Sequence, residues 1–126
     1  MDKIKIPTEP PTQPEDEKGA DLLDDFRTAL AHPRHPYHQL AKVYLGAYHQ
    51  AAHGKGVARH ANGRPFQEQP MQTVADLMQT ADGLLFQAIK KINESRALSS
   101  GSAIHELYGA INYTAGAILY LRRSRT

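Results

Sequence analysis

The sequence contains no cysteine and no tryptophan, and it has only three phenylalanines in 126 residues. Without cysteine the chain forms neither disulfides nor thiolate metal sites, and a cysteine nucleophile is excluded. No apolar run is long enough to span a membrane, and residues 1–6 lack the apolar core of a signal peptide. These absences predict a soluble protein of the cytoplasm with no membrane partner.

Acidic residues are missing from one long stretch. No Asp or Glu occurs between Arg27 and Gln67, a segment that holds six of the seven histidines. Eight of the thirteen acidic residues lie between Asp2 and Asp25, so the net charge of +2 conceals an acidic start and a basic body. From Arg27 to Thr126, twelve Lys and Arg against five acidic residues leave +7. Such a segment produces a positive field that attracts anions.

The first nineteen residues differ in composition from the rest. Prolines at 7, 10, 11 and 14 are followed by the charged run Glu15–Lys18. This composition cannot bury enough apolar surface to offset the entropy of ordering the chain. We therefore expect a disordered, proline-rich acidic tail over residues 1–19 and a single helical domain over residues 20–126.

Apolar residues recur at helical spacing through that domain, and no strand pattern is present. The expected helices are residues 22–32 behind an Asp21 cap, 36–53, 70–98 and 103–123. The third stretch contains Thr80–Gly83, which favours two helices or one kinked helix. The pattern predicts an all-α protein, a small bundle of four or five helices.

The large apolar residues of these helices form stripes that we expect to be buried. On the side of the second helix opposite its stripe, we expect an exposed arc that contains His38, Lys42, His49 and His53. The expected core residues are Tyr37, Leu40, Tyr44, Ala47, Tyr48 and Ala51, then Met71, Val74, Met78, Ala81, Leu85, Ala88 and Ile92, and finally Ile104, Leu107, Tyr108, Ile111, Ala115, Ile118 and Leu119.

Residues 54–69 read as a long loop, with three glycines and an Asn-Gly pair. Loops of this length inside a compact domain are usually functional or disordered. Its glycines allow backbone amides to approach an anion, its basic side chains bind phosphate, and its aromatic residue stacks on a base. The candidate ligand-binding residues are Lys55, Arg59, His60, Arg64 and Phe66, with Arg96 contributed from elsewhere in the fold.

Two other constellations are weaker. His49 and His53 have the four-residue spacing of zinc ligands on a helix, but Gln50 occupies the position where a His-Glu-x-x-His site has its general base. We rate them only as weak metal candidates. Glu94 and Glu106 could converge with Asn112 on magnesium, but the helical region has no Glu-x-x-Glu pair. We expect Glu94 to pair with a neighbouring lysine, and the Tyr108, Asn112 and Tyr113 set to form a core-edge network.

The leading functional hypothesis is a non-enzymatic binding protein that holds a phosphate-bearing small ligand, such as a nucleotide or signalling nucleotide, on the basic loop. Its size and charge would suit a phage protein that sequesters a signal. The alternative is an inhibitor or adaptor that binds an acidic protein, and nucleic-acid binding is third. We expect no cofactor and a homo-oligomer. Gly109 and Gly116 lie seven residues apart, as on a helix-packing seam, which can be within the chain or across a dimer.

Overall fold

The structure, a computed structural model, describes residues 14–54 and 63–124. These ranges contain five α-helices: α1 (Pro14–Ala31), α2 (His38–His53), α3 (Pro70–Met78), α4 (Asp82–Ser95) and α5 (Ser100–Ser124), with a 3-10 turn at Phe66–Glu68. No β-strand occurs in the described part of the chain, so the all-α class with four or five helices is confirmed. Within these ranges, no helix combines the length and apolarity that a membrane crossing requires.

The first helix starts earlier in the chain than the sequence indicated. It begins at Pro14 rather than behind Asp21, and proline suits a first helical position because it lacks an amide hydrogen. It ends at Ala31, close to the predicted end, where His32 N–H still donates to Thr28 O at 3.0 Å. Of the predicted disordered tail, residues 1–13 lie outside the described residues.

The chain forms two compact units, residues 1–42 and residues 43–126. In the first unit His38 is buried, and its Nδ1 lies 2.7 Å from Ala29 O. Because a carbonyl only accepts, Nδ1 carries the hydrogen and donates it. The expectation that His38 is exposed is therefore wrong. The single domain expected over residues 20–126 stays a prediction.

The second unit is built on an antiparallel hairpin of α4 and α5, with α3 packed against both helices. Its core consists of Ala75, Ala81, Leu84, Ala117 and Tyr120, with Met71 and Tyr113 packed against them. The α5 positions that face the core are mostly small, because close approach of two helices requires small side chains at the contact.

The buried faces differ from the predicted apolar stripes. On α5 the buried residues are Ala110, Gly116, Ala117 and Tyr120, none of which belongs to the expected stripe. On α2 the core takes Ala41 and Ala47, whereas the predicted core tyrosines at 37, 44 and 48 are exposed. On α3 and α4 the buried residues are Gln72, Ala75, Leu84 and Ala88, and Val74, Met78, Leu85 and Ile92 are exposed. The expectation that large apolar side chains form the core is wrong for most of these positions.

The predicted break in the third helical stretch is confirmed, but glycine does not cause it. Gln79 adopts the left-handed conformation (φ 57°, ψ 37°) and ends α3. Its N–H donates to Asp76 O, and the N–H of Thr80 donates to Ala75 O, both at 3.3 Å, which is the Schellman pattern of a helix end. Gly83 lies inside α4 instead.

Candidate functional site

The second unit contains a cavity of about 660 Å³, which is lined by the C-terminal end of α2 and by α3, α4 and α5. One part of its wall is apolar and aromatic, and comprises Phe66, Met71, Val74, Met78, Leu84 and Tyr113. Another part carries primary amides, from Gln50, Gln69, Gln87 and Asn112. Pockets of this volume, with apolar walls and a few polar groups, are typical of small-molecule sites.

The second half of α2 forms one side of the cavity and is fixed to α5 by side-chain amides. Asn112 Nδ2 donates to Ala47 O at 3.0 Å. Gln50 Nε2 donates to His105 O at 3.1 Å, and it lies 3.0 to 3.1 Å from the two ring nitrogens of His105. Gly46 permits this approach, because a Cβ there would come within 2.5 Å of the Tyr108 ring.

A partly buried ion pair, Lys91 with Glu106, lies in the cavity wall on the α4–α5 side. Lys91 Nζ is 3.2 Å from Glu106 Oε2, so this carboxylate oxygen is held by the ion pair. Among the described residues, the buried Gln50 Oε1 in the same wall has no hydrogen-bond partner. An unsatisfied buried acceptor costs about 1–3 kcal/mol, and such groups are often completed by water or a ligand. The polar wall therefore offers an acceptor to a molecule that carries N–H or O–H groups.

The structure brings only part of the predicted loop site to this cavity. Phe66 lines the wall. Arg64 is exposed, and its carbonyl accepts a hydrogen bond from the wall residue Gln69 at 3.3 Å. Arg96 is exposed at the end of α4 and is not part of the wall. The remaining candidates, Lys55, Arg59 and His60, lie outside the described residues.

The structure places the two predicted metal candidates of α2 next to each other. The rings of His49 and His53 lie side by side on α2, with centroids 5.6 Å apart. In the ranges that the structure describes, no group of three or more His, Cys, Asp or Glu side chains could hold a metal. Glu94 pairs with Lys90 at 3.9 Å on the surface of α4, as expected from their spacing.

The polar face of the last helix lines the cavity, whereas its pattern in the sequence predicts the edge of a core. His105, Glu106, Gly109, Asn112 and Tyr113 all line the cavity, and their spacing places them along one side of α5. The signal was present, since Asn112 and Tyr113 were recognised as a polar set, but it was interpreted as the edge of a core. Lys91 and Gln87 carried no comparable signal.

Comparison with protein-family models, curated proteins and solved structures finds no match for this chain.

Proposed function

We propose that this chain is a non-enzymatic binding protein that holds a phosphate-bearing small molecule of the nucleotide class in the cavity of the second unit. One observation carries the proposal. A cavity of about 660 Å³ is lined by aromatic side chains, primary amides and a lysine–glutamate pair, and one of its wall residues, Gln50, has a buried acceptor without a partner among the described residues. This volume suits a ligand of nucleotide size.

The wall chemistry suggests how such a ligand would lie. Phe66 and Tyr113 supply aromatic faces on which a base can stack. The carboxylate of Glu106 and the amide oxygen of Gln50 accept hydrogen bonds, which suits the amino and ring N–H groups of a base. The base would therefore occupy the cavity itself.

The phosphate would lie towards the basic segment rather than in the interior. The charges of Lys91 and Glu106 cancel within the described wall, so the interior has little attraction for an anion. Arg64, which adjoins the wall through Gln69, can bind phosphate through two parallel hydrogen bonds. Contributions from Lys55, Arg59 and His60 stay predictions, as do the phage origin and the cytoplasmic location.

A thermal-shift screen against mono-, di- and cyclic nucleotides and inorganic phosphate tests the proposal. A nucleotide at a hundredfold excess over its dissociation constant adds about 2.7 kcal/mol to the free energy of unfolding. We expect Phe66→Ala and Arg64→Ala each to weaken the affinity for that nucleotide about tenfold or more, by titration calorimetry, with the helical circular dichroism unchanged. Arg96→Ala is the matched control, since this exposed arginine lies off the wall. No shift with any nucleotide, or an equal loss with Arg96→Ala, would refute the proposal.

A second candidate function, protein interaction, is favoured by the apolar surface of α3 and α4. Leu77 is 79% exposed, Ile89 67% and Phe86 62%. Large apolar side chains this exposed are typical of interaction surfaces where they form a contiguous patch. Leu77→Ser with Phe86→Ser should abolish capture of a specific partner while nucleotide binding persists.

If a captured partner proves to be nucleic acid, its affinity will fall steeply with salt, because counterions are released on binding.

A further inference from the structure

The outer face of α5 carries a regular seven-residue pattern. Isoleucines stand at 104, 111 and 118, and each is followed three residues later by Leu107, Thr114 or Leu121. Isoleucine at the first core position of a heptad and leucine at the fourth is the arrangement that favours two-stranded coiled coils. We call these six residues the α5 seam.

The α5 seam is only partly covered by its own unit. Ile104 is 50% exposed, Leu107 40%, Ile118 47% and Leu121 50%. Of the buried positions of the helix, Tyr120 lies on another side, whereas Ala110 and Ala117 flank the seam, and Ile111 of the seam is itself half-buried. The seam extends over eighteen residues, about 26 Å at the rise of an α-helix.

We propose that the α5 seam is a dimer interface, in which α5 of one copy packs against α5 of a second copy of this chain. A symmetric dimer brings the same patch of both copies together, so the patch must not repel itself. The seam meets this requirement, because no Asp, Glu, Lys or Arg occurs from Leu107 to Leu121. Pairing two seams buries on the order of 1,000 Å² in total, the lower limit for a specific interface, so the dimer is reversible.

The dimer leaves the proposed ligand site open. The cavity-lining residues of α5, among them His105, Gly109 and Asn112, lie on a different side of the helix from the seam. Self-association is therefore independent of the proposed nucleotide binding, and either can fail without the other.

Sedimentation equilibrium of the full chain over a wide concentration range tests the dimer. We expect the mass to rise from that of one chain to that of two, and Ile118→Asp to hold it at one chain with unchanged helical circular dichroism. Ile92→Asp is the matched control, since it makes the same change at an isoleucine of α4 that is 50% exposed, close to the 47% of Ile118. A wild-type chain that stays monomeric at every concentration overturns the proposal, whether the seam is open or covered by another part of the same chain. A dimer that Ile92→Asp dissociates as strongly as Ile118→Asp overturns it as well.

A gain-of-affinity variant keeps the proposal testable if Ile118→Asp unfolds. Thr114 is the polar residue in the middle of the seam and is exposed. Thr114→Leu completes the heptad, and we expect it to lower the dimer dissociation constant about tenfold through added apolar burial. Thr73→Leu, at an exposed threonine of α3, should not change that constant. An unchanged constant with Thr114→Leu contradicts the α5 seam as the interface.

Discussion

Gln79 carries a backbone conformation that suits glycine better than glutamine. It has a positive φ of 57° at the end of α3, where an L side chain costs roughly 1–2 kcal/mol and glycine little. The hydrogen bonds of the helix end use only the backbone, so glycine would keep them. We expect Gln79→Gly to raise the free energy of unfolding by about 0.5–1 kcal/mol, part of the gain being offset by the greater freedom of the unfolded chain.

Urea denaturation measures this change, with Gln79→Ala as the control, since alanine meets the same steric penalty as glutamine in this conformation. We expect the alanine variant to gain nothing. Equal stability of the glycine and alanine variants would show that this position is not strained.

At the scale of secondary-structure elements, Arg123 links the C-terminal end of α5 to α3. Its Nε and one terminal nitrogen lie 3.0 and 2.9 Å from Asp76 Oδ1, and the terminal nitrogen also donates to Gln72 O at 3.3 Å. Its guanidinium lies 5.2 Å from the centre of the Tyr120 ring. The Asp76 side chain is 57% exposed, so solvent screens the ion pair.

We expect Arg123→Ala to lower the free energy of unfolding by about 1 kcal/mol, and by less in 1 M salt. Arg123→Lys should recover little of this loss, because lysine cannot bind the carboxylate and the carbonyl with one planar group. Arg122→Ala removes the same charge from the neighbouring exposed position and serves as the control. If Arg122→Ala costs as much, the effect is one of net charge and not of this contact.

The helices could be predicted from the sequence because their signals are local. Pro33 and Pro36 end α1 within one residue of the expected position, and Gly54 follows the last residue of α2. The faces that pack could not be predicted in the same way. The stripe method assumes that the largest apolar residues form the core, whereas α5 buries Gly116 and Ala117 and leaves Ile104 half exposed.

The site was predictable only in part, for a related reason. Phe66 was identified because an aromatic residue in a basic loop is a local signal. Lys91 and Glu106 come from different helices, and their meeting depends on how α4 and α5 pack. A single sequence does not show which faces of α4 and α5 pack together, so the contact between Lys91 and Glu106 could not be predicted from it.

At the scale of the whole molecule, the buried core is small and the exposed apolar surface is large. Eight of the ten buried apolar side chains in the described residues are alanines. A buried methyl group adds only about 0.8 kcal/mol, much less than a buried leucine or phenylalanine. If a ligand binds in the cavity or a second chain at the α5 seam, as proposed above, that binding should add a substantial part of the stability of this fold.

The two units should therefore differ in local stability. In the first unit, the described side chains that are buried are those of Ala29, His38 and Ala41. The second unit contains the core around Leu84 and Tyr120. Because local opening is easiest where few side chains are buried, we expect the amides of α1 to exchange with deuterium at least tenfold faster than those in the middle of α5. Mass spectrometry of peptides from the intact chain measures this difference, with the unfolded chain as the reference for intrinsic exchange. Equal protection of α1 and α5 would mean that the chain opens as one cooperative body, and the stability of α1 would then have to come from contacts beyond its own unit.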